Sequence, residues 1–189
     1  MTRAMGTYIR TIDAVNYGLG RAVMYGLFAM MAVLLWSSIS KTFLLPSLWT
    51  LETAQFAMMA YFILGGPYAI QLGANVRMDL FYGNWSDRRK AWVDCVTVLF
   101  LIFYLGVLLY GALGSTAYSL GNFTAPPLEF FAGFLTGESE VGRLERSPTA
   151  WRPYLWPIKS VIVLGLTLML LQAISELFKD ILRLTEAPA

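Results

Sequence analysis

Long apolar runs alternate with short clusters of charge along this chain, and their spacing predicts four membrane-spanning helices. Residues 22–40 are uncharged until Lys41, and residues 51–72 hold only Glu52, near their start. Residues 92–113 hold only Asp94, and residues 156–177 hold only Lys159 and Glu176, all close to an end. Each run has about 20 residues, the length that carries a helix across a hydrocarbon core. The connector at 42–50, punctuated by Pro46, returns the chain at once.

The positions of the basic residues then give these spans a direction. Residues 73–92, GANVRMDLFYGNWSDRRKAW, carry Arg77, Arg88, Arg89 and Lys90 between two apolar runs. A basic loop of this kind is held on the cytoplasmic side. Counting outward from it puts Arg3, Arg10, Arg21, Lys179 and Arg183 inside, and Lys41, Arg143, Arg146, Arg152 and Lys159 outside. The expected fold is therefore an all-α integral membrane protein with four transmembrane helices and both termini cytoplasmic. Short interfacial helical segments accompany them.

In this division residues 1–21 form a cytoplasmic interfacial segment, residues 22–183 the four-helix transmembrane domain, and residues 184–189 a tail. Tyr8, Ile9, Ile12, Val15 and Leu19 recur at roughly helical spacing, which predicts an amphipathic helix on the membrane surface, with a frayed tail as the alternative. The outer loop, 115–154, carries Glu129, Glu138, Glu140 and Glu145. Its middle, 127–135, is rich in Phe and too short to span, so it reads as an interfacial or re-entrant piece. Trp151, Tyr154 and Trp156 suit the outer interface, where Lys159 can snorkel outward.

Inside the spans, Gly65-Gly66-Pro67 predicts a kink, because proline removes a backbone donor. Gln55 and Gln71 are expected to face protein rather than lipid. Gly106, Gly111 and Gly114 with Tyr104 and Tyr110 suggest a helix-packing seam.

Composition removes most other functions. With 57% hydrophobic and 14% charged residues the chain lies outside the soluble range, and a net charge of +2 gives no footing for nucleic acid. One cysteine, Cys95, and no histidine leave no disulfide, no Cys pair and none of the usual haem or catalytic zinc ligands. No cofactor is expected. There is no GxSxG and no phosphate-cradling glycine loop, so the chain does not read as an enzyme. The first apolar run is too long for the core of a signal peptide and is expected to be retained. No charge falls at the centre of a span, where an ion or proton pathway would need one. What remains is a small membrane protein that binds something larger in the bilayer. A self-contained homo-oligomeric channel or carrier, with Gln55 and Gln172 lining a shared path, is the alternative.

Two stretches carry a family resemblance. GANVRMDLFYGNWSDRRKAWVD resembles the cytoplasmic loop of the DctQ-type small membrane subunits of TRAP transporters, through Gly73, Arg77, Asp79, Arg88 and Arg89. LERSPTAWRPYLWPIKSVIVLGLTLMLLQAISEL is similar to the family's last helix and its approach, through Glu145, Ser147, Trp151, Pro153, Trp156, Pro157, Lys159 and Gln172. Residues 121–143 depart from the family by their length. The resemblance implies a bacterial inner-membrane, multi-pass subunit of a tripartite, ATP-independent importer. Its partners would be a large DctM-type membrane subunit, a periplasmic substrate-binding protein and the lipid bilayer. The large subunit would carry the organic acid and sodium sites, with this chain as scaffold. Arg77 and Asp79 are expected to hold the loop or the large subunit in register, and Trp151, Trp156 and Lys159 to act at the outer interface.

Overall fold

The computed structural model describes residues 2–73 and 87–186, and all of the regular structure among them is helical. Helix α1 is Thr2–Met24, α2 Gly26–Phe43 and α3 Thr50–Gln71. After them come α4, Asp87–Ser119, the short α5, Pro127–Thr136, and α6, Trp156–Glu186. Arg77 and Asp79 lie outside the described residues.

Three stretches among these residues are long and apolar enough to cross a membrane: Met5–Phe43, Trp92–Ser119 and Trp156–Leu182. Helix α3 has the length, at 22 residues, but Glu52, Gln55, Gln71 and the Gly65-Gly66-Pro67 step dilute its apolar content. Pro67 is buried, and the helix continues past it to Gln71.

Helices α1 and α2 nearly form one rod. They join at Tyr25, where the amide N–H groups of Tyr25 and Phe28 reach back three residues to Ala22 and Tyr25 at 3.2 and 3.1 Å. This is a local tightening, not a turn. The first apolar helix thus begins well before residue 22. Its early part packs beside α3 and α6.

The core lies between α4 and α6. Leu105, Leu166 and Ala173 are buried, with Leu101, Ile102, Leu109, Ile162, Met169 and Leu170 packed around them. Close approach occurs between α3 and α6 instead of along the glycines of α4. A Cβ on Gly165 would stand 2.2 Å from the Ile63 side chain and 2.9 Å from its carbonyl oxygen, and one on Gly66 would strike Met169 at 1.9 Å. At Gly165, where the backbone of Ile63 is met, only glycine permits that approach, whereas at Gly66 the atom met is the flexible end of Met169. Gly106 and Gly111 face open space, and Tyr104 and Tyr110 are exposed, so the seam predicted on α4 is not used within this chain. Gly114 alone meets a neighbour, Pro127 at the start of α5.

The bundle has two distinct ends. The loop end carries the connection between α4 and α6, and the terminal end carries the start of α1 and the close of α6.

Candidate functional site

The loop end is organised by the termination of α4. The last carbonyls of a helix have no partner within it and must find donors elsewhere. Here the incoming loop supplies them: the Gly142 N–H donates to Leu120 O at 2.9 Å and the Glu145 N–H to Ser119 O at 3.0 Å. Gly121, at φ 92, allows this contact, since a Cβ there would meet the Gly142 backbone at 2.6 Å.

Lys159 of α6 closes the same corner. Its ammonium donates to Glu145 Oε2 at 2.6 Å and to Ser115 O at 3.2 Å, and lies 5.8 Å from the centroid of the Tyr118 ring. A cation at the negative end of the α4 dipole is favourable in its own right. The carboxylate that Lys159 meets is therefore in its own chain.

The loop then forms a small hairpin. Arg146 and Tyr154 pair as an antiparallel bridge, the Ser147 N–H donates to Pro153 O at 2.9 Å, and the Leu155 N–H donates to Glu145 O at 3.2 Å. Arg146 stacks its guanidinium over Tyr154, 4.4 Å from the ring centroid, and donates to the phenol oxygen. Arg152 takes a left-handed backbone at φ 51. From α3, Glu52 pins the hairpin: its Oε1 accepts from Ser147 Oγ at 2.9 Å and from the Thr149 hydroxyl. Glu52 is 5% exposed, and its Oε2 has no hydrogen-bond partner among the described residues.

Replacing Glu52 with Ala is expected to loosen the hairpin without unfolding the bundle. The lost bonds go to a charged acceptor, but an incompletely satisfied buried carboxylate also carries a desolvation cost, leaving a net effect of about 1 kcal/mol. Tryptic cleavage after Arg146 should then quicken by about fivefold. Equal cleavage of Glu52→Ala and the parent chain would show that Glu52 does not anchor the loop.

The terminal end holds a second polar cluster. Gln172, 0% exposed, accepts from Asn16 Nδ2 at 2.7 Å and donates to Asp13 Oδ1 at 2.9 Å and Glu176 Oε1 at 3.0 Å. Lys179 bridges the two carboxylates, 2.8 Å from Asp13 and 2.7 Å from Glu176. Gln71 of α3 donates to the Asp13 carbonyl at 3.1 Å, and Tyr8 donates to Leu171 O at 3.1 Å. Gln172 stands sixteen residues past Trp156, about 24 Å along the helix axis, so the cluster begins within the apolar stretch Trp156–Leu182.

The sequence-predicted residues thus fall into separate groups. Glu145, Ser147, Pro153 and Lys159 meet at the loop end, while Trp151 and Trp156 are exposed beside them and Pro157 sits in the first turn of α6. Gln172 belongs to the terminal end. Gly73 closes α3 at φ 61, with its N–H donating to Ile70 O at 3.0 Å. Arg88 and Arg89 open α4, and Arg89 is exposed. Gln71 faces protein as expected, whereas Gln55 is exposed in this chain. Asp13 and Asn16 are structural residues that sequence reasoning did not single out, and Glu52 was read only as a charge at a span end. The i, i+3 and i, i+4 spacing of Asp13 with Asn16 and of Gln172 with Glu176 was the available signal.

The family model described as tripartite ATP-independent periplasmic transporters, DctQ component, matches residues 30–183. No curated protein and no solved structure matches the chain.

Proposed function

Because the chain belongs to the DctQ-component family of tripartite ATP-independent periplasmic transporters, and so is a transporter membrane subunit rather than an enzyme, we propose that it is the scaffold of its transporter. It anchors the large carrier subunit in the inner membrane during sodium-coupled uptake of an organic acid delivered by a periplasmic binding protein. The chain crosses the membrane four times, with α3 as the fourth span. Both termini and the basic loop are cytoplasmic, and the loop end faces the periplasm. Arg77 and Asp79 hold the cytoplasmic loop or the large subunit in register.

The observation that carries this reading is the division of polar and apolar groups. Residues 26–40, 95–119 and 160–175 contain no charged side chain. The polar groups near their ends are tied to one another, and Phe100, Phe103, Tyr104, Val107 and Tyr110 leave a broad apolar face of α4 exposed. Such a chain offers surface to a partner and no internal route for an ion. The homo-oligomeric channel or carrier is disfavoured by the same facts, since Gln172 is fully buried and engaged within one chain.

The test is to purify the tagged chain with its genomic neighbours in mild detergent and identify what remains bound. A much larger polytopic protein is expected in stable proportion, with uptake in proteoliposomes requiring both. Recovery as a homo-oligomer that transports by itself would overturn the proposal.

A further inference from the structure

The cleft beside the loop-end hairpin has a chemistry that scaffolding does not use. Its volume is about 780 Å³, within the range of sites that hold small molecules. Tyr118 and Phe123 line it together with Arg143, Arg146, Arg152 and Tyr154. The one carboxylate in its lining, Glu145, is already held by Lys159 at 2.6 Å. Among the described residues neither Arg143 nor Arg152 has an acidic partner.

Arg143, Arg146 and Arg152 thus line one cleft, and among the described residues no acidic side chain pairs with any of them. Stacking on Tyr154 orients Arg146 without neutralising it. The left-handed backbone of Arg152 is costly for a non-glycine residue and is held by the hairpin on either side. Guanidinium donors in this number suit an oxyanion, which they can meet with paired hydrogen bonds.

Depth selects among oxyanions. The cleft lies directly ahead of Trp156, where α6 and its apolar stretch begin, and Trp151, Tyr154 and Trp156 are exposed around it. Such aromatics sit at the level of lipid headgroups. Beyond Tyr118, the outward face of α4 continues through Gly111, Tyr110, Val107 and Tyr104, an apolar wall along which an acyl chain can lie.

We infer that this cleft binds the phosphate of an anionic phospholipid. Arg143 and Arg152 supply the uncommitted donors, Arg146 adds charge, and Phe123 and Tyr118 cover the glycerol and upper chain. A free phosphate or carboxylate shares the oxyanion but would gain nothing from the aromatic and apolar walls.

The test uses the full chain in mild detergent, with lipid retention read by native mass spectrometry and stability by thermal unfolding. Phosphatidylglycerol is expected to stay bound and raise the melting temperature, while phosphatidylcholine and glycerol phosphate do neither at matched concentration. The double substitution Arg143→Gln with Arg152→Gln keeps both exposed positions polar and should lower phosphatidylglycerol retention about tenfold. Replacing both by Lys should restore part of it. Equal retention by the Gln variant and the parent chain would overturn the site. A stabilisation by glycerol phosphate equal to that by phosphatidylglycerol would overturn the lipid as its ligand.

Discussion

Replacing Lys159 with Met is expected to lower the melting temperature of the detergent-solubilised chain by about 6 °C, a loss of about 2 kcal/mol. Three attractions end together: the ion pair with Glu145, the hydrogen bond to Ser115 O and the approach to the Tyr118 ring. Exposed ion pairs contribute about 0–1 kcal/mol, and removing one partner of a buried pair costs about 3–5 kcal/mol. This pair is partly buried, which sets the expected loss between those limits. Glu145→Gln should cost about half as much, because the ammonium it frees can still reach water or headgroups on its flexible stem. Exchanging the two charges by combining Lys159→Glu with Glu145→Lys should recover part of the loss. The proposed complex with a large subunit should weaken in step with Lys159→Met. An unchanged melting temperature would mean that Lys159 only snorkels and that the loop is held by its backbone bonds alone.

Much of the architecture was legible because hydropathy and charge are properties of the chain taken one residue at a time. The start of α6 at Trp156 coincides with the predicted span, and the Phe-rich piece at 127–135 is α5, Pro127–Thr136. Helix lengths were less legible. Helix α4 runs on to Ser119 and α6 to Glu186, since a helix does not stop where its apolar character stops. The family, too, was legible in the sequence, from the residues around Arg77 and those leading into α6.

Partners were the part that could not be read. Glu52 meets Ser147 across 95 positions, and Asn16 meets Gln172 across 156. Nothing in a hydropathy pattern sets the crossing of helices that brings them together. On α1, Val15 is 50% exposed while Asn16 beside it is 1% exposed. In a lipid environment apolar groups lose nothing by facing outward, and amides must find partners within the protein.

Replacing Gln172 with Leu should therefore destabilise the chain by about 2 kcal/mol although the new side chain is apolar and of similar size. The substitution leaves the Asn16 amide buried with no acceptor for its Nδ2 group, and it takes one donor from each of Asp13 and Glu176. An orphaned buried amide costs about 1–3 kcal/mol, whereas polar pairs between membrane helices contribute about 0.6–1.7 kcal/mol. Those ranges make the sign depend on what is left behind. Asn16→Leu alone should cost a similar amount, since it strands the Gln172 carbonyl. Leu at both positions removes the two amides together, and its cost should fall well below the sum of the single losses, as expected for groups in direct contact. Lys179 would still bridge Asp13 and Glu176, so α1 should stay docked in the double variant. Thermal unfolding in detergent gives the four corners of this cycle, and trypsin cleavage after Arg10 reports on α1 separately. Strictly additive losses would mean that Asn16 and Gln172 are neighbours without energetic coupling, and that α1 is held to α6 by Lys179 and by packing.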